Sequence, residues 1–306
     1  MNKMTSKFDD KRSAMEQQVR NGNGFIAALD QSGGSTPKAL KAYGVSETAY
    51  NNDVEMYDQI HAMRTRIVDA SAFTGSKIVG AILFEMTFDR QIGGKPSAQY
   101  LWEDRHVVPF LKIDKGLEDE VNGCQMLKPM PGLNDLLTRA AAGGVFGTKE
   151  RSVISAANPK GIEDIVRQQF DVGRMVLRHG MVPMLEPEIT ISISDKAEAE
   201  EMLRDEILRH LDMLAADQIV MLKLTLPEQA NIYQPLVDHP NVMRVVALSG
   251  GYSRDEANAR LAQNTGIIAS FSRALTEGLS ADQDESGFND MLSTTIEEIF
   301  TASVAG

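Results

Sequence analysis

One cysteine, Cys124, stands among 306 residues. No disulfide can form within such a chain and no cysteine-based metal site can be assembled, and a reducing compartment fits that usage. No uninterrupted apolar run approaches the ~20 residues that a membrane-crossing helix needs. Positive charge is in deficit, with 31 Lys and Arg against 43 Asp and Glu and a formal net charge of -12. That balance disfavours nucleic acid and anionic membrane as partners. It does not disfavour a small anionic substrate, because a pocket can be basic on an acidic protein. Residues 1–20 are charged and amphipathic, without the apolar centre of a signal peptide, so a soluble cytoplasmic chain is expected. Internal repeats, low-complexity linkers and composition breaks are also lacking. One domain over residues 1–306 is the expectation, with an N-terminal helical extension and a short C-terminal helix.

What the chain does have is a series of eight apolar runs. They fall at 24–30 (GFIAALD), 77–85 (KIVGAILFE), 107–114 (VVPFLKID), 145–154 (VFGTKERSVI), 181–189 (MVPMLEPEI), 218–224 (QIVMLKL), 242–249 (VMRVVALS) and 266–271 (GIIASF). Most are short and rich in branched side chains, with Gly, Pro or Asn at their borders. Their apolar character is continuous rather than alternating, as parallel strands covered by helices require. Helical periodicity fills most gaps: 53–70 places Val54, Tyr57, Ile60, Met63 and Ile67 at three- and four-residue steps, and 161–179, 196–216 and 253–263 behave alike. Ser253 with Glu256 three residues on fits a capping box. The link 128–142 is the least helical, and 289–300 reads as a last amphipathic helix. Eight strands alternating with helices predict an α/β fold, a single-domain (β/α)8 (TIM) barrel. A doubly wound nucleotide-binding fold is the alternative, but Asp30-Gln-Ser-Gly-Gly-Ser35 stands where its glycine fingerprint belongs.

Chemistry in such barrels collects at the C-terminal ends of the strands, so polar residues inside the apolar runs are informative. They are Asp30, Glu85, Lys112 with Asp114, Lys149 with Arg151, Glu186 with Glu188, Lys223, Ser249 and Arg273. Members of a pair two apart face the same side of a strand. Lys223, deep in Ile219-Val-Met-Leu-Lys-Leu-Thr225, is the sharpest of them. A snorkelling lysine on an edge strand is the bland explanation; a nucleophilic amine is the functional one. With an ordinary pKa of about 10.4, a lysine is only ~0.1% neutral near pH 7.4. Desolvation and a second ammonium, for which Lys149 is the candidate, both favour the free amine. Such an amine attacks a carbonyl, and the iminium that results is an electron sink for breaking a neighbouring C–C bond. A carboxyl such as Glu186 can supply the acid that expels water, and Asp30 the base for a hydroxyl on the cleaved side.

Two segments suit phosphate. Ser249-Gly250-Gly251 ends the seventh run with a hydroxyl and exposed backbone N–H groups, and Ser272-Arg273 follows the eighth. Ser32, Ser35 and Lys112 form a second candidate anionic site on the opposite side. A serine or glycine taken singly is more often only a turn, but two basic sites across one mouth point to a bisphosphorylated substrate. His61 and His210 fall in helical segments, and His106, His179 and His239 precede strands, at the end away from the mouth. The strand-end histidines that a zinc-dependent aldolase needs are not in place, so no metal and no cofactor are expected.

These residues resemble the class I (Schiff-base) fructose-bisphosphate aldolases of the compact type, from about Phe25 to Ala274. The pieces that carry the likeness are Ala28-Leu-Asp-Gln-Ser-Gly-Gly-Ser35, Ile82-Leu-Phe84, Leu111-Lys-Ile-Asp-Lys-Gly116, Phe146-Gly-Thr-Lys-Glu-Arg151, Val182-Pro-Met-Leu-Glu-Pro-Glu188, Met221-Leu-Lys223, Leu248-Ser-Gly-Gly251 and Ser270-Phe-Ser-Arg-Ala-Leu275. The resemblance implies reversible cleavage of fructose 1,6-bisphosphate to dihydroxyacetone phosphate and glyceraldehyde 3-phosphate. It makes Lys223 the Schiff-base lysine, Asp30 the group at the C4 hydroxyl and Glu186 the proton donor for dehydration, with Lys149 and Glu188 as their electrostatic partners. Ser32, Ser35, Lys112 and Arg151 would reach the C6 end, while Ser249, Gly250, Gly251, Ser272 and Arg273 would hold the C1 phosphate. Homo-oligomers are implied too, since many members form them. The chain departs from the larger animal-type members at Gln31, where they have Glu, at Ala39, where they have Arg, and at Ser272, where they have Gly. Their long tail with its terminal tyrosine has no counterpart before Gly306. Two other classes of answer remain at this point: a Schiff-base lyase for a single phosphate, such as a deoxyribose-phosphate aldolase or transaldolase, and a catalytically silent barrel. Against the latter stands the cost of burying this many charges without a use.

Overall fold

The computed structural model describes residues 2–306, with side chains from residue 10 onward. Each of the eight apolar runs contains a strand: β1 (Phe25–Leu29), β2 (Ile78–Leu83), β3 (Val108–Lys112), β4 (Gly147–Ile154), β5 (Val182–Ile189), β6 (Val220–Thr225), β7 (Val242–Leu248) and β8 (Ile267–Ala269). They pair in sequence order, all parallel. The ring closes where the Ala28 N–H of β1 donates to the Phe271 carbonyl just beyond β8, at 3.1 Å. This is the predicted barrel.

Around the strands run α1 (Asn2–Asn21), α2 (Asp53–Asp69), α3 (Ser97–Arg105), α4 (Leu133–Ala142), α5 (Pro159–Arg178), α6 (Lys196–Leu211), α7 (Arg254–Leu261) and α8 (Glu285–Ala305), with shorter turns between them. Side-chain caps start several of them, Asn52 accepting from the Glu55 N–H at 3.0 Å and Ser253 from the Glu256 N–H at 3.3 Å. Helices α6 and α8 differ from the periodicity in opposite directions. Helix α6 stops at Leu211 rather than 216 because the Gln218 side chain takes the Ala215 N–H at 3.0 Å and turns the chain. Helix α8 runs longer than 289–300, started by Asp284 at the Gly287 N–H.

The barrel interior is apolar through its lower half. Ile26, Ala28, Val79, Ile82, Val108, Phe110, Met184, Met221, Val246 and Ile268 pack there, with Met15 and Val19 of α1 inserted from the N-terminal end. Fully burying such side chains contributes about 1.5–3 kcal/mol each. Phe110 takes up the room that glycines leave on both neighbouring strands, since a Cβ on Gly80 or Gly147 would lie 2.8 or 2.9 Å from its ring. Helix α1 is tied on by Gln18, whose amide donates to the carbonyls of Val79 (2.9 Å) and His106 (2.6 Å), and by Arg244, which donates to the Arg20 carbonyl at 2.7 Å. Helix α1 thus covers the N-terminal end of the barrel.

Candidate active site

Inward positions along a strand recur every second residue, so each apolar column leads upward to a polar one. Ala28 of the lumen is followed by Asp30, Phe110 by Lys112, Met184 by Glu186 and then Glu188, and Met221 by Lys223. Lys149 enters from β4 in register with Lys112 on β3. Strands β5 and β6 stay paired only through Met184–Met221 and Leu185–Leu222. Above that the Thr225 hydroxyl bridges them, accepting from the Ile189 N–H and donating to the Ile189 carbonyl, both at 2.9 Å. The separation occurs at the level of Glu186 and Lys223.

Four of these groups meet in one buried chain of charges. Lys149 Nζ lies 2.6 Å from Asp30 Oδ2 and 2.7 Å from Glu186 Oε2, and the other Glu186 oxygen, Oε1, lies 3.0 Å from Lys223 Nζ. None of the four side chains is more than 9% exposed. Burial works against both carboxylates, yet the ammonium groups of Lys149 and Lys223 hold Asp30 and Glu186 below the usual carboxylate range. Burial likewise opposes the Lys149 charge, and Asp30 and Glu186 overcome it and push that pKa up. The expected neighbour of Lys223 was the Lys149 ammonium; in the structure Glu186 is interposed, one carboxylate shared by two lysines.

A second layer surrounds the first. Lys112 pairs with Asp114, which also accepts from the Arg151 backbone N–H at 3.1 Å. The Lys112 pKa is lowered by its burial and by Lys149, against the pull of Asp114. Arg151 pairs with Glu188 at 2.7 Å, so Glu188 partners this arginine rather than either central lysine. Both members are part-exposed at the mouth.

The two expected anion segments lie at the same end. Gly250 and Gly251 have φ values of 59° and 123°, which L side chains rarely adopt, and a Cβ on Gly251 would stand 3.3 Å from an Arg273 guanidinium nitrogen. Ser249 is buried beside them, while Arg273 is exposed and, among the described residues, forms no ion pair. On the far side, Ser35 Oγ accepts from the Ser32 N–H at 3.0 Å and donates to the Ser32 carbonyl at 3.2 Å, shaping a short turn above Asp30. The histidines lie elsewhere, His61 against the Gln91 carbonyl, His210 stacked on Phe170, and His179 and His239 against Asn134 and Asp212.

Of three residues near the mouth, two escaped sequence reasoning and one, Asp114, was read without its bonds. Asp114 was visible as a strand-end carboxylate, but its two partners were not. Gln31 stood out only as a departure, although its amide donates to Ser272 Oγ at 2.8 Å. Arg64 carried one overlooked signal: four residues from Ile60 and three from Ile67, it occupies the apolar face of α2.

Paired lysines and carboxylates are buried at the C-terminal end of a (β/α)8 barrel, between the two segments expected to hold anions, an arrangement suited to a lysine-centred barrel enzyme. Comparison with known proteins narrows this. The family model described as fructose-bisphosphate aldolase class I matches residues 11–241. The class 1 fructose-bisphosphate aldolase of Porphyromonas gingivalis is 55% identical over 288 residues, 94% of this chain and 98% of its own. That of Synechocystis sp. is 55% identical over 281 residues, 92% of this chain and 94% of its own. A solved fructose-bisphosphate aldolase from Plasmodium falciparum, in ternary complex with TRAP and a small-molecule inhibitor, matches with a TM-score of 0.80 over 98% of this chain and 95% of its own. At 19% identity that likeness speaks for the fold. The chain belongs to the class I fructose-bisphosphate aldolase family and is an enzyme.

Proposed function

We propose that the enzyme cleaves fructose 1,6-bisphosphate reversibly to dihydroxyacetone phosphate and glyceraldehyde 3-phosphate, through an imine on Lys223. The observation that carries this reading is the shared carboxylate: Glu186 touches Lys149 at 2.7 Å and Lys223 at 3.0 Å, with Asp30 on the far side of Lys149 at 2.6 Å. A proton leaving Lys223 has an acceptor in place, and the freed amine attacks the C2 carbonyl. The carbinolamine loses its hydroxyl as water, with Glu186 as acid, to give the iminium. Asp30 then takes the C4 hydroxyl proton, the C3–C4 pair flows into the iminium, and glyceraldehyde 3-phosphate departs. Protonation of the enamine at C3 and hydrolysis release dihydroxyacetone phosphate and return Lys223. Lys149 remains charged throughout and keeps the two carboxylates apart in role, one acid and one base.

In this reading the C1 phosphate rests on Ser249, the Gly250 and Gly251 N–H groups, Ser272 and Arg273. Ser32, Ser35, Lys112 and Arg151 face the C6 end. Fixing both ends of the sugar supplies the orientation that the cleavage step needs. Among the described residues no helix is long and apolar enough to cross a membrane, and a cytoplasmic setting with a sugar phosphate as the partner molecule suits the single buried cysteine. The test is product analysis with purified protein. Stoichiometric formation of both triose phosphates from fructose 1,6-bisphosphate, much faster than cleavage of a monophosphate ketose, supports the assignment. Preference for the monophosphate would contradict it.

A further inference from the structure

We propose that Arg64 is a positioning residue that holds the Asp30 base and the Ser272–Arg273 anion loop in one register across the seam where the barrel closes. The proposal rests on the roles assigned to Asp30 and Arg273 above.

Arg64 is fully buried in α2. A guanidinium removed from water is costly unless a counter-ion or a full set of acceptors compensates it, and among the described residues Arg64 forms no ion pair. Its acceptors are neutral: Thr87 Oγ1 at 2.7 Å, the Gln31 carbonyl at 2.5 Å and the Gln31 side-chain oxygen at 3.2 Å. Among the described residues its Nε has no partner. Burial lowers its pKa to about 10, with Asp30 opposing, so it remains charged near neutrality. The charge is therefore not neutralised by a contact carboxylate. It lies beside the residue that follows the base.

The bonds continue outward. The Gln31 amide donates to Ser272 Oγ at 2.8 Å, next to Arg273. Thr87 follows β2, Gln31 follows β1 and Ser272 follows β8, so one chain of side-chain bonds ties three adjacent strand ends. It crosses the seam just above the Ala28–Phe271 backbone bond that closes the ring. Strand β8 has only three residues, so the seam has little backbone pairing and gains most from a side-chain fastener. A substrate held at one end by Arg273 and deprotonated at its C4 hydroxyl by Asp30 spans this same seam. Slippage between the two strand ends then misplaces base and substrate relative to each other.

The test compares Arg64→Met and Arg64→Lys with Gln31→Leu, Ser272→Ala and their double variant in the full-length enzyme. Trapping of dihydroxyacetone phosphate at Lys223 by borohydride monitors imine formation, which needs no base at C4. In both Arg64 variants kcat for fructose 1,6-bisphosphate cleavage is expected to fall about 10- to 100-fold, with trapping retained, and in Arg64→Met, which also loses the charge, the acid limb of the pH profile is expected to move upward. Gln31→Leu and Ser272→Ala are expected to raise KM, the double variant by less than the product of the two single effects, because the bond they share is lost in each. Additive effects of Gln31→Leu and Ser272→Ala would overturn the proposal, as would Arg64 variants whose kcat and trapping fall in equal proportion. The Gln31–Ser272 cycle decides the matter even if Arg64→Met does not fold. Failure of trapping in the wild type would instead strike the assignment of Lys223.

Discussion

Replacing Lys149 by methionine removes one ammonium and leaves two buried carboxylates facing each other. Methionine keeps an unbranched stem of similar volume, so the packing loss is small. The electrostatic loss is not. Lys149 lies 2.6 Å from Asp30 and 2.7 Å from Glu186, and breaking a buried ion pair by removing one partner costs about 3–5 kcal/mol. The carboxylates escape much of that cost by taking up a proton. At about 1.4 kcal/mol per pKa unit, a rise of roughly two to three and a half units above the ordinary carboxylate value absorbs it. A base protonated near neutrality no longer accepts the C4 proton, so kcat is expected to fall about 10²- to 10⁴-fold, with its acid limb displaced upward. The sign for stability follows from the same groups. In the wild type the Asp30 and Glu186 pKa values lie below their unfolded values, so their contribution is present above the unfolded pKa and lost as pH falls through the folded one. In the variant the shared proton raises them, and the contribution is lost as pH rises instead. The Tm gap between wild type and Lys149→Met is therefore widest near neutral pH and narrows toward about pH 4. Kinetics and thermal melts across that range provide the assay. An unmoved acid limb, or a Tm gap independent of pH, would refute the reasoning.

Glu150 lies on the outer face of β4, fully buried, with no partner for either carboxyl oxygen among the described residues, and burial with Asp114 pushes its pKa well above the ordinary value. Its contribution is complete below the unfolded pKa and lost as pH rises through the folded one, so Glu150→Gln is expected to stabilise by about 1–3 kcal/mol at pH ~8 and not at pH ~4; equal effects in chemical denaturation at both would contradict this. Ser249→Ala and Arg273→Ala are expected to raise KM for dihydroxyacetone phosphate about tenfold or more with Tm unchanged for Arg273→Ala, because that side chain is exposed and unpaired; unchanged KM in both would place the phosphate elsewhere. Because a lysine imine supplies the electron sink, activity is expected to survive dialysis against EDTA, and loss of turnover restored by zinc would reverse that view.

The central residues were legible because two simple periodicities coincide at them. Continuous apolar strands predict a parallel barrel, the barrel predicts chemistry at strand C-termini, and the two-residue step then selects Asp30, Lys149, Glu186 and Lys223 as inward-facing. Their partners were not legible, because pairing depends on strand stagger and rotamer. Glu188 was expected, with Lys149, as an electrostatic partner of Lys223, Asp30 and Glu186, and its ion pair is with Arg151 at 2.7 Å. Lys112 was expected to be available to an anion and is bonded to Asp114. Arg64 shows a further limit: helical period marks its face as buried, but says nothing of Thr87, Gln31 and Ser272, which come from three strand ends far apart in the chain. Glu150 is the converse case, a charge whose parity points out of the barrel toward helix α5, where Gln169 donates to its backbone carbonyl at 3.2 Å and, among the described residues, nothing bonds its carboxyl oxygens.

The central claim is that Lys223 carries the imine. Sodium borohydride added with dihydroxyacetone phosphate, followed by peptide mass mapping, tests it in one measurement. A reduced adduct on Lys223 with irreversible loss of activity is the expected result, absent in Lys223→Arg because a guanidinium stays protonated and cannot form the imine. An adduct on Lys149 or Lys112 with Lys223 unmodified, or full activity after borohydride treatment, would contradict the account.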